Sequence, residues 1–445
     1  MLRDRRAILA LLTALNFLNF IDRAVIAAVL TPMKAELALS NFEAGLLNTA
    51  FLIGYFATCP VFGARADKGA RKGLIALGVL IWSVATIGSG LATGFWSLLA
   101  ARIVVGVGEA SFAVLAPTII DDITPPDRKG SALSVFYLAV PLGYALGYIL
   151  GGTIARQWEA RMGHELVAGW RASFLIVGGP GIVLALTCLL VAEPARKLLH
   201  AKAKLIDGLR EIVAIPLFRR AVLGYCAFTA AVAGFSYWAP DFLLKNFPEL
   251  TVETANQRFG LVLIVGGAIG TMIGGRYANR AMTRHRVAPD EPHDSIANKR
   301  AINGLLRICA VGMAVAAPVS AIGFFVPGAT VFFIVSFVVD IALFASTSPV
   351  NTAFLRSVPP ERRASAMAAS IFSIHMFGDL WSAAALGLLL DNLPAKIAMQ
   401  ALPLTFALSA YVWSPRRREA AGSGTGAGTG AGTGSVPEAR VHTAT

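Results

Sequence analysis

Apolar runs long enough to cross a lipid bilayer follow one another along most of this chain. A helix needs about 20 predominantly apolar residues to span the hydrocarbon core. Hydrophobic residues make up 56% of the 445 residues and charged residues only 15%, a balance outside the range of soluble domains. The sequence therefore predicts an all-α integral membrane protein. Its twelve predicted spans lie near residues 7–31, 42–64, 73–93, 97–120, 131–155, 170–191, 217–240, 257–279, 301–325, 329–351, 366–390 and 393–413.

The basic residues predict how the spans are oriented. The chain has 39 Lys and Arg against 26 Asp and Glu, a net charge of +13, and the Lys and Arg concentrate in the connections on the side of the amino terminus. The positive-inside rule then places both termini in the cytoplasm. The short connections favour a prokaryotic inner membrane as the location of this multi-pass protein. Because topology accounts for the basic charge, we expect no nucleic-acid partner.

A short cytoplasmic sequence occurs twice and predicts an internal repeat. Residues 125–132 read PPDRKGSA and residues 359–366 read PPERRASA, each time just before a predicted span. Repeated halves around a central site are a recurrent transporter architecture. We expect a monomer with four regions. These are an amino-terminal six-helix bundle (1–192), a cytoplasmic linker (193–216), a carboxy-terminal six-helix bundle (217–414) and a disordered glycine-rich tail (415–445).

Charged side chains interrupt two of the predicted spans. Asp22 and Arg23 lie in the first span, and Arg102 and Glu109 lie in the fourth. Each such residue costs about 2.5–3.5 kcal/mol to insert, so ionisable groups in spans usually face a cavity and mark a solute or proton path. Arg102 and Glu109 share one helix face about 10 Å apart, whereas Asp22 and Arg23 point about 100° apart.

These four residues suggest a layered site. We expect Arg23 and Arg102 to hold an anionic head group, while Glu109 and Asp22 exchange protons between the two access states. Arg102 is the expected partner of Glu109. The alternative is that Arg102 and Glu109 form a fixed pair that only stabilises the amino-terminal bundle.

Polar residues near these charges add further candidates. Asn16 and Asn19 form a stripe with Arg23 on the first span, which predicts either a cavity lining or hydrogen bonds to another helix. In the eleventh span, His375 and Asp379 are one turn apart. His375 is either a substrate or proton contact or a packing histidine.

Aromatic residues in the spans are candidates to line an apolar path. We single out Tyr55, Phe136 and Tyr137 as substrate contacts, with core packing as the alternative. Asp340 is a further carboxylate in the tenth span, and the sequence leaves its role open. No nucleophile motif, phosphate-binding loop or metal-ligand cluster accompanies these residues, so we expect neither an enzyme nor a metal or other cofactor.

A loop motif follows the second span. Residues 63–72 read GARADKGARK and resemble the loop motif of the major facilitator superfamily, with the glycine after the aspartate, Gly69, one place early. Asp67 can cap or pair across the interface between the bundles. We therefore take Asp67, Arg71 and Asp379 as candidate gate residues, although Arg71 is alternatively one of the topology charges.

More specific motifs resemble the Spinster family of that superfamily. They are NFLNFIDR at 16–23, GVGEAS at 106–111, FY at 136–137, PLG at 141–143 and HMFGD at 375–379. The resemblance implies a proton-linked or facilitated carrier of a lipid-like amphiphile of the sphingoid or lysophospholipid type. We expect a secondary transporter that is alternating in access and proton-coupled. The expected partners are thus this small molecule, protons and the bilayer. The alternative is a major facilitator carrier of soluble organic anions or drugs.

Overall fold

Helices long enough to span a membrane make up most of the structure. The computed structural model describes residues 4–66, 71–125, 128–163, 167–192, 212–287, 291–359 and 362–415. The described part contains twelve such helices, which confirms the predicted number and order. In chain order they are Arg5–Ala28, Asn41–Arg65, Arg71–Gly90, Phe95–Ile123, Ser131–Met162, Gly169–Leu189, Pro216–Asn246, Val252–Arg284, Ile296–Gly323, Ala329–Arg356, Ser365–Asn392 and Ala395–Trp413. These apolar runs are helical because only a helix satisfies its own backbone hydrogen bonds in hydrocarbon.

An even number of spans puts the start of the first and the end of the twelfth on one face. We call this the terminal face and the opposite one the distal face. A short helix, Leu30–Leu37, connects the first and second spans at the distal face. The terminal face is the one that the charge distribution predicts to be cytoplasmic.

The spans form two six-helix bundles with equivalent packing. In the first bundle, the second span packs on the fourth, the first on the fifth, and the third on the sixth. In the second bundle, the eighth packs on the tenth, the seventh on the eleventh, and the ninth on the twelfth. Each pair in the first bundle therefore has a counterpart six spans later, as expected for the repeated halves.

The bundles meet along two pairs of spans, the second with the eleventh and the fifth with the eighth. Glycines let the second and eleventh spans approach closely near the distal face. A Cβ atom at Gly45 would lie 2.4 Å from the carbonyl oxygen of Ala383, and one at Gly387 would lie 2.3 Å from that of Asn41. Close approach of these backbones closes the distal side of the space between the bundles.

Three predictions fall on residues outside the described ranges. Asp67, residues 193–211 of the linker and residues 416–445 of the tail belong to this group. The gate role of Asp67, the linker and the disordered tail stay predictions.

Candidate functional site

The two charged residues of the first span contact different neighbours. Arg23 donates a hydrogen bond from Nε to Glu109 Oε2 in the fourth span at 2.7 Å. Asp22 accepts a hydrogen bond from the hydroxyl of Thr86 in the third span. This division follows from the angle of about 100° between adjacent side chains on a helix. The first span is thereby joined to two other spans of its own bundle.

Arg102 lies beside this ion pair without binding Glu109. Its guanidinium lies 5.1 Å from the centroid of the Phe51 ring, and the guanidinium of Arg23 lies 4.9 Å from the same centroid. Among the described residues, Arg102 Nε and Nη1 have no hydrogen-bond partner. The expectation that Arg102 is the partner of Glu109 was therefore wrong. Seven residues separate the two by about 10 Å along one helix, whereas Arg23 reaches Glu109 from a neighbouring span.

Burial makes this cluster sensitive to any change of charge. Glu109 is fully buried, Arg102 is 1% exposed and Asp22 is 2% exposed. The side chain of Arg23 is 16% exposed, so it is the member of the ion pair that reaches open space. With both acids ionised the four charges cancel. Removing one charged partner from such a site leaves the other uncompensated, which is strongly unfavourable.

A cavity of about 340 Å³ lies between the two bundles and reaches this cluster. Arg23 and Arg102 line it from the first bundle, and Asp340 and Asp379 line it from the second. Its volume lies within the range of small-molecule sites. Several aromatic residues complete the wall, namely Phe51, Tyr144, Tyr148, Phe228, Phe235, Phe259 and Phe344. The sequence alone assigns no role to Asp340. The only sequence feature that marks this residue is a carboxylate inside a predicted span.

The other predicted contacts from the first bundle lie around the cavity rather than along it. Asn16 donates from Nδ2 to the carbonyl oxygen of Phe136 at 2.9 Å, and Asn19 is buried. The ring of Phe136 is buried in the first bundle, whereas Tyr137 is about half exposed. Tyr55 has its ring centroid 5.3 Å from the Arg23 guanidinium. Within the described part of the chain, none of these five residues lines the cavity.

His375 and Asp379 contact one another on the eleventh span. His375 Nδ1 lies 2.8 Å from Asp379 Oδ2, and the imidazole lies 5.2 Å from the ring centroid of Phe56 in the other bundle. His375–Asp379 forms a π-helical turn, a distortion often found at functional sites. Asp379 lines the cavity, whereas His375 contacts Phe56 of the second span and is not one of the described residues that line the cavity.

Similarity to known proteins identifies the family of this chain. A family model described as Major Facilitator Superfamily matches residues 12–378. The chain is 30% identical over 454 residues to the probable sphingolipid transporter spinster homolog 2 of Arabidopsis thaliana, with 92% of this chain and 86% of that protein covered. The chain belongs to the Spinster family of the major facilitator superfamily. Protein spinster homolog 1 of Homo sapiens is 29% identical over 435 residues, covering 91% and 78% of the two chains.

A solved structure shows the same fold for a Spinster relative. The crystal structure of a bacterial homolog to the human lysosomal transporter Spinster, in an inward-facing and occupied conformation, superposes with a TM-score of 0.80. The two chains are 24% identical, with 93% of this chain and 97% of the other covered. The Spinster family consists of membrane transporters, and the present chain is accordingly a transporter of the Spinster type and not an enzyme.

Charged and polar contacts close the distal side of this Spinster transporter. Lys34, on the short distal helix, lies 2.9 Å from Asp241 of the seventh span and donates to Asn41 Oδ1 at 2.6 Å. Lys245 lies 3.1 Å from the same carboxylate. Asp391, at the end of the eleventh span, accepts hydrogen bonds from the backbone N–H of Asn41 at 2.9 Å and from that of Phe42 at 2.8 Å. We call Lys34, Asp241, Asn41 and Asp391 the distal latch.

We expect Lys34 of the distal latch to make closure of this face depend on pH. Burial lowers the pKa of Lys34 from 10.5 to about 8, although the carboxylate of Asp241 acts in the opposite direction. When the distal face opens, Lys34 meets water and its pKa returns toward the ordinary value. As pH rises, Lys34 therefore loses its proton at a lower pH in the closed state than in the open state. We expect closure to become more favourable between pH 8 and 10.5 and to change little below pH 8.

Spin labels across the distal face would measure this effect. The labels would replace the exposed residues Thr93 and Asn392, in a protein without its four native cysteines. The fraction of short distances should be larger at pH 9.5 than at pH 7. Lys34→Met should remove the difference. A decrease in that fraction at the higher pH, or a dependence that survives in Lys34→Met, would contradict the prediction.

Proposed function

We propose that this Spinster transporter is a proton-coupled secondary active carrier of a lipid-like amphiphile, of the sphingoid or lysophospholipid type. The observation that carries the proposal is the ion pair of Arg23 and Glu109 at the wall of the cavity. One relative is named a probable sphingolipid transporter, which supports the substrate class. We further propose that the chain lies in an inner membrane with both termini in the cytoplasm.

Arg23 is the proposed contact for the anionic head group of the cargo. Its guanidinium is partly exposed to the cavity and close to the rings of Phe20, Phe51 and Tyr55. The planar guanidinium of arginine can donate two parallel hydrogen bonds to a phosphate group, as it does to a carboxylate. A bound head group and Glu109 therefore compete for one guanidinium. We place Arg102, which also lines the cavity and lies close to the Phe51 ring, as a second positive charge that favours an anion at this level.

Competition for Arg23 provides a physical basis for proton coupling. When the head group takes the guanidinium, the buried Glu109 carboxylate loses its partner. An unpaired carboxylate in a buried site is unfavourable, and taking up a proton removes that penalty. Glu109 is therefore the proposed coupling residue. Asp22, which is hydrogen-bonded to Thr86 in the same buried layer, is the proposed second acid.

The wall of the cavity in the second bundle suits an apolar tail. A smaller space of about 30 Å³ opens between the seventh, ninth, tenth and twelfth spans and shares part of the cavity wall. The shared residues are Phe235, Ser336, Val339 and Leu343. Burying apolar surface here contributes about 25 cal/mol per Å². This apolar part of the wall matches the tail of an amphiphile, and the charged residues elsewhere in the cavity match its head group.

Alternating access would require the distal face to open and the terminal face to close. The distal latch and the close approach at Gly45 hold the distal face shut in the structure, so we assign this state as open toward the cytoplasm. Among the proposed gate residues, Asp379 lines the cavity, and Arg71 forms a 2.7 Å ion pair with Asp122 within the first bundle. We propose that these contacts rearrange between the two states.

Flux into proteoliposomes tests the substrate class. A fluorescent lysophospholipid should enter vesicles that contain the wild-type protein and not vesicles without it. Arg23→Gln should reduce the initial rate about tenfold or more, because losing a charged hydrogen bond to the head group costs about 1.5–3 kcal/mol. Arg5→Gln removes the same charge at the exposed start of the same span and should leave the rate unchanged. Protein-dependent flux of a water-soluble organic anion, without flux of any amphiphile, would favour the alternative cargo.

A further inference from the structure

Asp340 is a buried carboxylate that faces the cavity from the second bundle. It lies in the tenth span, is 6% exposed and lines the cavity opposite Arg23. Its Oδ2 atom is buried without a hydrogen-bond partner among the described residues. We propose that Asp340 is the cation-binding end of the cargo site and takes a positively charged nitrogen of the amphiphile whose anionic group lies at Arg23. The inference rests on the proposed amphiphile cargo and adds a determinant of selectivity to it.

Among the described residues, no Lys, Arg or His forms an ion pair with this carboxylate. The tenth span packs chiefly on the eighth and ninth spans. Arg258 of the eighth span lies 6.0 Å from the ring centroid of Phe333, which precedes Asp340 by two turns, about 10 Å along the helix. Gly266 of the eighth span lies next to Asp340. The other arginines of this span come later in the chain and lie about 15 Å or more from Gly266 along the helix axis.

A glycine on the eighth span makes room for the carboxylate of Asp340. A Cβ atom at Gly266 would lie 2.5 Å from Asp340 Oδ2, so any other residue there would collide with the charged group. Of the next glycines, Gly267 lies against the ring of Phe344, and Gly270 lies against the Cβ atom of Phe344 and the backbone of Ile341. The glycines thus seat both a carboxylate and an aromatic ring at the cavity wall.

Aromatic rings around a carboxylate are suited to bind an ammonium group. Phe344 follows Asp340 by one helical turn, and Phe235, Phe259 and Tyr148 line the same cavity. A cation gains from the face of such rings as well as from the negative charge, and aromatic surroundings are the usual means of holding alkylated ammonium groups. A carboxylate without a partner in a buried site is unfavourable, and an ammonium group removes that penalty.

Charge complementarity across the cavity then favours a cargo with both signs. Arg23 and Arg102 line the cavity from the first bundle, and Asp340 lines it from the second together with Asp379, which contacts His375. A molecule with an anionic group and a nearby ammonium satisfies both bundles at once. An anionic amphiphile without the ammonium leaves Asp340 unpaired. Selectivity between these two cargo types should therefore depend on Asp340 and not on the apolar tail.

Binding to the purified full-length protein tests this inference with two probes that share one acyl chain. Lysophosphatidylethanolamine carries a phosphate and an ammonium, and lysophosphatidic acid carries the phosphate alone. Asp340→Asn should weaken binding of the first about tenfold and leave binding of the second unchanged or tighter. Asp294→Asn, the same chemical change at an exposed loop position, should alter neither dissociation constant.

The outcomes separate this inference from the proposed function. Equal weakening of both probes by Asp340→Asn, as expected from a structural role or from proton carriage, would overturn the inference and leave the amphiphile cargo standing. No change in either probe would overturn it as well. If neither probe binds the wild type, the proposed cargo is wrong and the inference falls with it. Preserved elution of Asp340→Asn as a single species would show that the variant is folded.

Discussion

Replacing Glu109 by glutamine is expected to abolish accumulation of cargo against a gradient while leaving downhill exchange in place. Glutamine has the same shape and still offers Arg23 an oxygen acceptor, so the bundle should remain folded. It cannot take up a proton when the head group displaces it from Arg23. Coupling of one proton to each cargo molecule allows about tenfold accumulation for each unit of pH difference. The expected ratio for Glu109→Gln is about one.

The measurement is the steady-state accumulation of a fluorescent lysophospholipid in proteoliposomes with an imposed pH difference. Glu291→Gln makes the same change in the connection between the eighth and ninth spans, outside the cavity, and should accumulate cargo as the wild type does. Asp22→Asn is a second informative variant, because it tests the other proposed acid. Undiminished accumulation by Glu109→Gln would remove Glu109 from the coupling step and favour a fixed structural pair.

A side chain at Gly45 is expected to hold the distal face open. The Cβ atom of Gly45→Val would lie 2.4 Å from a backbone oxygen and 2.7 Å from Ala384 Cα, and neither atom belongs to a flexible side chain that could move aside. The second and eleventh spans must therefore separate before valine fits. We expect the ratio of distal-closed to distal-open molecules to fall at least tenfold, which corresponds to about 1.4 kcal/mol.

The spin labels at positions 93 and 392 report this ratio directly. Gly275→Val is the matched control, because a Cβ atom at Gly275 has no neighbouring atom within 4 Å. Its distance distribution should match that of the wild type. Cargo flux should fall in Gly45→Val and persist in Gly275→Val. Short distances retained in a folded Gly45→Val protein would show that the two spans are not required to be in contact for distal closure.

The fold was predictable because each span is recognisable on its own. Length and apolar content decide whether a segment crosses the membrane, and the repeated loop sequences indicated two equivalent bundles. The contact of His375 with Asp379 was also predictable, since residues four apart on a helix are neighbours. In each case the information is local to one stretch of chain.

The partners of the buried charges were harder to predict because they depend on how separate helices pack. Glu109 binds Arg23, which is 86 positions away in the sequence, while the expected Arg102 lies on the same helix out of reach. The place of Asp340 at a cavity could not be predicted from its own span, because residues of both bundles form that cavity. Asp391 directly follows the eleventh predicted span, and nothing near it in the sequence indicates that its partners are Asn41 and Phe42.

The hydrogen bonds that Asp391 accepts show how a carrier can hold one face closed and still complete its transport cycle. The carboxylate at the end of one bundle serves as the cap for the first helical turn of the second span in the other bundle. Water can take its place whenever the bundles part, and the exchange changes the free energy by only about 0.5–1.5 kcal/mol per hydrogen bond. Because the helix end is never left without a partner, the open and closed states can remain close in energy. Each cycle can then run in either direction, as the concentrations on the two sides dictate.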